Sequence, residues 1–277
     1  MDYKVISNSQ AALGEGISIN SSKSEIAWAD ITGNKVHWKS LITGKEGTLT
    51  DFEMPSCTFS DRQGGMFISH VGGIDWVDSE YRNRQACTSW FLKDSGIRCN
   101  DGKMDKNGNI WISTMSVSHL ENHGSIWFWD RKSKPILVVD NLTIPNSIAI
   151  DNLRNRFYFA DSQKNTIYAG KLLSFRNQVN SIYEFHKSLD GEPDGSTLDH
   201  GGNLWNARWG GSKIIKINSN GEVEFQLLTP FTRPTSCVLS RDEKQLYVTS
   251  ALAQDDQIGG MTVMFDMKSS LNSKSIQ

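Results

Sequence analysis

Asn109-Ile-Trp-Ile-Ser-Thr114 reads as a short strand entered from a turn, and close versions of it recur along the chain. They are Glu25-Ile-Ala-Trp-Ala-Asp30, Gly65-Met-Phe-Ile-Ser-His70, Arg156-Phe-Tyr-Phe-Ala-Asp161, Asn203-Leu-Trp-Asn-Ala-Arg208 and Gln245-Leu-Tyr-Val-Thr-Ser250. With Ala27, Phe67, Trp111, Tyr158, Trp205 and Tyr247 taken as equivalent, successive intervals are 40, 44, 47, 47 and 42 residues. A period in the forties with several short strands per unit is the signature of a propeller. A further strand follows in most units, as in Asn34-Lys-Val-His-Trp38, Gly124-Ser-Ile-Trp-Phe-Trp129, Asn165-Thr-Ile-Tyr-Ala169 and Ser212-Lys-Ile-Ile-Lys-Ile217. No helical periodicity competes with these runs.

The pattern predicts an all-β fold, a six-bladed β-propeller with four antiparallel strands per blade. It forms one domain over residues 1–266, with a Ser- and Lys-rich tail, 267–277, expected to fray. Tyr3-Lys-Val-Ile-Ser7 precedes the first full unit and is placed as the outer strand of the last blade, where it closes the ring and removes an open edge.

Composition narrows the partners. The 277 residues carry 29 Lys+Arg against 31 Asp+Glu, a formal net charge of −2, which lacks the basic stripe of a nucleic-acid footprint. No cationic segment precedes an apolar run near Met1, and no stretch approaches the roughly 20 apolar residues that cross a bilayer. A cytoplasmic protein, monomeric or weakly homo-oligomeric, is expected, with neither nucleic acid nor membrane as partner. Cys57, Cys87, Cys99 and Cys237 are scattered, and are read as four buried thiols, not a disulfide framework or a zinc site.

Function is sought upstream of each landmark. Eleven or twelve positions back stand Glu15, Ser56, Asn100, Asn146, Asp194 and Thr235. Innermost strands of a propeller run along the central channel, so these residues converge on one mouth of it. Glu15, Asn146 and Asp194 then form a hard-oxygen set suited to Ca²⁺, with Mg²⁺ or Mn²⁺ as substitutes, because two carboxylates facing a narrow channel repel unless a cation joins them. A second set, Asp61, Asp105, Asp151 and Asp199, precedes Gly- or Asn-bearing turns and is read as turn punctuation. Asp105-Lys-Asn-Gly-Asn109 has its Gly too early for a calcium loop and is also a turn. Neither a Gly-x-Ser-x-Gly elbow nor a His-Glu-x-x-His pair occurs, so serine-esterase and zinc-peptidase chemistry lack their parts. The Trp residues are assigned to core packing, with Trp209 as a candidate border of the site.

These residues resemble the SMP-30/gluconolactonase/luciferin-regenerating (regucalcin-like) family. The matching segments are Leu13-Gly-Glu-Gly16, Arg98-Cys-Asn-Asp-Gly102, Pro145-Asn-Ser147, Phe157-Tyr-Phe-Ala-Asp-Ser162, Pro193-Asp-Gly195, Trp209-Gly-Gly211 and Arg233-Pro-Thr235 with Tyr247-Val-Thr-Ser-Ala251. The second blade matches least. The resemblance implies a metal-dependent lactonase taking a small-molecule lactone, with a divalent cation at Glu15, Asn146 and Asp194, Ca²⁺ first and Zn²⁺, Mg²⁺ or Mn²⁺ as alternatives. It implies substrate contacts from Arg98, Asn100 and Glu121, and Asp194 as the catalytic base. Two departures bear on the mouth: Ile17-Ser-Ile19 follows Gly16 where the family has Pro and an aromatic, and Ser147 stands where Gly is usual. The competing readings are a calcium-binding regucalcin-like protein and a non-enzymatic, protein-binding propeller.

Overall fold

Six separate four-stranded antiparallel sheets make up the computed structural model, which describes residues 2–89, 95–173, 178–254 and 256–268. Five sheets take their strands in chain order. The sixth is ordered Tyr3–Ser7, Thr262–Asp266, Gln245–Ser250, Pro234–Leu239, so the earliest strand of the chain is the outer strand of the last blade. The innermost strands are Gly14–Asn20, Cys57–Ser60, Ile97–Met104, Pro145–Asp151, Glu192–Leu198 and Pro234–Leu239, each in contact with the inner strands of both neighbours. The fold is the expected six-bladed propeller. Among the described residues no helix is long and apolar enough to cross a membrane.

The sequence period has a packing cause. There are six apolar clusters, one between each pair of adjacent blades, and every landmark packs forward onto the next blade. Ala27 joins the cluster between the first and second blades, Phe67 the next, then Trp111, Tyr158 and Trp205 in turn, and Tyr247 returns to the first. Trp28, Trp111, Trp129 and Trp205 are buried in these clusters, as the core reading expects. A sheet apolar on both faces and stacked radially needs an apolar side chain per unit at the same depth, aromatic in all blades but the first, which fixes the repeat.

Cys57, Cys99 and Cys237 are buried as read, but Cys87 is exposed. It lies on the outer strand of the second blade, Arg84–Thr88, which is open to solvent along nearly its whole length. A strand pattern carries no sign of whether a neighbouring blade covers its edge, and here none does. The tail beyond Lys268 falls outside the described residues, whereas Met267 is buried in the cluster between the fifth and sixth blades.

Ring closure rests on Tyr3 opposite Phe265, Lys4 opposite Met264 and Val5 opposite Val263, with Ile6 buried among Ile17, Trp28 and Tyr247. Deleting residues 2–7 exposes that edge and removes Ile6 from its cluster. The expected loss is roughly 3 kcal/mol, read as a melting temperature lower by about 6–12 °C. An unchanged melting curve would show that the closing strand is dispensable.

Candidate active site and metal centre

The inner strands are not regular at the end where the candidate residues stand. Register shifts lie between Glu15 and Ser18, Cys99 and Gly102, Asn146 and Ala149, Pro193 and Ser196, and Pro234 and Cys237. The inner strand of the second blade, Cys57–Ser60, pairs without a shift. A bulge bends a strand and sharpens its twist, so the residue at the break leaves the sheet face and turns toward the axis.

Three of these openings are tied down by a residue at the end of the neighbouring strand or one before it. Asp30 Oδ1 accepts from the Leu13 amide at 3.0 Å, and Asp161 Oδ1 accepts from the Ile144 amide at 3.1 Å, each two residues before a candidate ligand. In the fifth blade the equivalent position is Arg208, fully buried, with inverted polarity. Its guanidinium donates to the carbonyls of Ser188 (2.9 Å) and Gly191, just before Asp194. Carboxylate accepting from amides or guanidinium donating to carbonyls, the same backbone corner is satisfied.

Glycine requirements follow from the crowding. Gly16 has φ +54°, and a Cβ there would lie 2.1 Å from the carbonyl oxygen of Ser56. Ser147 holds the same left-handed conformation, φ +58°, without being glycine. Its hydroxyl donates to the Asp194 carbonyl at 2.6 Å and accepts from Asn206 Nδ2 at 2.9 Å. The departure from the family pattern therefore keeps the backbone shape and adds a tie between the Asn146 and Asp194 turns.

Glu15, Arg98, Asn100, Asn146 and Asp194 all line one cavity of about 320 Å³ at the channel mouth. All five are 5–7% exposed. A directed chain of hydrogen bonds orders them: Arg98 Nη1 donates to Asn100 Oδ1 (2.7 Å), Asn100 Nδ2 to Asn146 Oδ1 (2.8 Å), Asn146 Nδ2 to Ser162 Oγ (2.9 Å) and Ser162 Oγ to the Pro193 carbonyl (2.6 Å). The terminal carbonyl can only accept, so each amide's orientation is fixed. Asn146 keeps one lone pair of Oδ1 for another partner.

Opposite this chain, the carboxyl groups of Glu15 and Asp194 are hydrogen-bonded to each other, and Oδ1 of Asp194 is buried with no hydrogen-bond partner. Burial, reinforced by the Asp101 charge, pushes Glu15 up to about 8, and burial with the Glu15 charge raises Asp194 well above the carboxylate range. Two carboxyls in contact away from water cannot both ionise without a cation. Among the described residues no group of three or more His, Cys, Asp or Glu side chains stands at metal-binding spacing. The donor set is two carboxylates and an amide carbonyl, which suits a hard cation. The orphaned Asp194 oxygen and the paired carboxyls fit such an ion.

The remaining candidates fall elsewhere. Ser56 turns into its own blade, Oγ to Ser69 Oγ at 2.8 Å, whereas Thr235 Oγ1 lies 2.9 Å from Thr249 Oγ1 and donates across the seam to the Gly14 carbonyl of the first blade. Asp105 and Asp199 cap turns, accepting from the amides of Asn109 and Asn203 at 3.0 and 2.8 Å. Glu121 is exposed and outside the cavity lining; from the same loop it is His119 that reaches the wall, where Trp209 also stands. Sequence reasoning missed His119, Ser162 and Glu192. Ser162 was legible as the residue directly after the buried Asp161, whereas no spacing marks His119 or Glu192.

Comparison with known proteins identifies the family and the fold. The profile of the SMP-30/gluconolactonase/LRE-like region matches residues 13–252. L-arabinolactonase of Azospirillum brasilense is 26% identical, covering 94% of this chain and 90% of its own. Regucalcin of Danio rerio is 28% identical over 86% of this chain and 83% of its own. Among solved structures, the calcium-binding protein regucalcin of Agrobacterium tumefaciens superposes with a TM-score of 0.88 at 25% identity, covering 95% of this chain and 93% of that one.

Proposed function

The chain belongs to the SMP-30/gluconolactonase/LRE-like family, and from that premise we propose that it is a divalent-metal-dependent lactonase that opens a sugar lactone. The observation that carries the proposal is the buried Glu15–Asp194 carboxyl pair with its partnerless oxygen, facing Arg98 and Asn100 across one cavity.

Glu15, Asp194 and Asn146 Oδ1 would hold the cation, which supplies Lewis-acid polarisation of the lactone carbonyl when bound. Asp194 takes a proton from the attacking water as its oxygen bonds to the carbonyl carbon. The same carboxyl then returns that proton to the ring oxygen as the C–O bond breaks, leaving an open hydroxy acid. Burial and the Glu15 charge raise the proton affinity of Asp194 well above that of an ordinary carboxylate, which favours its taking a proton from water. Arg98 and Asn100 orient the sugar hydroxyls, and Glu15 serves mainly to hold the ion. Glu121 joins the substrate contacts only if its loop folds inward; as it stands, His119 occupies the wall.

Chelation separates this reading from its competitors. Protein stripped with EDTA is expected to lose aldonolactone hydrolysis by about 100-fold or more in a pH-indicator assay. Ca²⁺, Mg²⁺, Mn²⁺ or Zn²⁺ added singly identifies the ion that restores it. Turnover indifferent to exhaustive chelation would remove the metal from the mechanism. Metal binding without turnover on any lactone would favour a calcium-binding role.

A further inference from the structure

Glu192 stands on the cavity wall beside its cross-strand partner Trp209, two residues before Asp194. Its charge acts on Asp194, which places it within electrostatic reach of the reacting end of the site. Among the described residues it forms no ion pair. The nearby guanidinium of Arg208 is committed to Ser188 O, Gly191 O and Asn206 Oδ1, and Lys213 pairs with Asp190.

The cavity therefore carries three carboxyl groups, Glu15, Asp194 and Glu192, against one guanidinium, Arg98. Nη1 of Arg98 is already engaged by Cys99 O at 2.9 Å and by Asn100 Oδ1. A dication at Glu15 and Asp194 would balance these four lining groups, and Arg208, whose charge also reaches Glu192, has its donors spent on the contacts above. Glu192 remains as an acceptor on the wall beside Trp209, whose ring carries the Arg233 guanidinium 5.2 Å from its centroid. Such an edge receives hydroxyl donors and repels a second anion.

We infer that Glu192 is a specificity-determining residue that selects neutral polyhydroxylated lactones over lactones bearing an acidic substituent. The inference rests on the lactonase reading for the word lactone, but the charge selection concerns binding alone. A carboxylate or sulfonate brought within several ångströms of Glu192 loses at least about tenfold in affinity relative to a hydroxyl at the same place.

The test is equilibrium binding, by calorimetry, of two non-hydrolysable probes: D-gluconolactam, and the same lactam carrying a carboxylate at carbon 6. Wild-type protein, Glu192→Gln and Glu192→Lys are compared, each with its melting curve as a check on folding. The expected result is a preference for the neutral probe of about tenfold or more in the wild type, about threefold or less in Glu192→Gln, and an inverted preference in Glu192→Lys. An unchanged ratio in Glu192→Gln overturns the inference, as does failure of both probes to bind the folded wild type. Aldonolactone turnover measured in parallel keeps the two readings apart. A ratio that collapses in a protein without turnover refutes the lactonase reading alone, and turnover with an unmoved ratio refutes the role of Glu192 alone.

Discussion

Asp194→Asn is expected to lose roughly 1,000-fold in kcat on an aldonolactone with metal supplied, while the metal-free variant melts higher than the wild type. The two halves share one cause. Asn keeps the volume and a carbonyl oxygen but cannot take or return a proton, so the water is no longer activated. In the metal-free state the same change removes one of two carboxyl groups that are buried against each other. It leaves the backbone ties to Asp194 intact, since Ser147 and Asn206 Nδ2 both donate to its carbonyl, at 2.6 and 2.8 Å. Relief of that burial is worth about 1–2 kcal/mol, a rise of roughly 2–8 °C. Loss of activity accompanied by a lower melting temperature would mean the site was damaged and the base not identified. Activity within tenfold of wild type would remove Asp194 from the chemistry.

The second expected result concerns pH. Glu15, at about 8 in the folded protein, has an ordinary value of 4.5. The folded state thus keeps a proton that the unfolded chain releases, and stability falls with rising pH over that interval. The contribution is full below about 4.5 and is lost as pH climbs through about 8; its size is on the order of a few kcal/mol. A cation bound to the deprotonated carboxylates reverses the slope, because it competes with the protons. Melting temperatures of EDTA-treated protein should therefore drop between pH 5 and 8 relative to Glu15→Gln, and saturating Ca²⁺ should raise them most at the alkaline end. A flat difference curve would mean that the pair carries no proton at neutral pH.

The blade count was legible because Trp111, Tyr158, Trp205 and Tyr247 each face the next sheet at the same depth, so packing imposes its period on the letters. Glu15, Asn146 and Asp194 were picked out for a related reason: they stand eleven or twelve positions before the landmarks of their blades. What the offset could not convey is direction. At the same position in the second blade Ser56 bonds to Ser69 of its own blade, and in the sixth Thr235 bonds to Thr249 and to the Gly14 carbonyl of the first blade, so neither presents its oxygen to the cavity. The buried exchange of Asp for Arg at position 208 was visible as a letter but not as a function, because its meaning lies in backbone carbonyls that only the folded corner supplies. Loop residues were least legible. His119 has φ +56° and reaches the wall, while Glu121, two residues on, does not, and no periodicity distinguishes them. Exposure of Cys87 belongs to the same class, since edge cover depends on a neighbouring blade and not on the strand itself.

The partnership of Tyr3–Ser7 with Thr262–Asp266 also has a meaning for biosynthesis. A ribosome releases the first of these segments long before its mate exists, so through most of translation the earliest strand must wait without a hydrogen-bonding ladder. Meanwhile each complete blade from the first to the fifth can assemble from contiguous chain. Loop closure over so long a separation costs about 3 kcal/mol more than a hairpin, and that cost falls due only at the end. The last blade is therefore the part of the molecule most exposed to proteases and chaperones during synthesis, although in the finished ring it is sealed like the others.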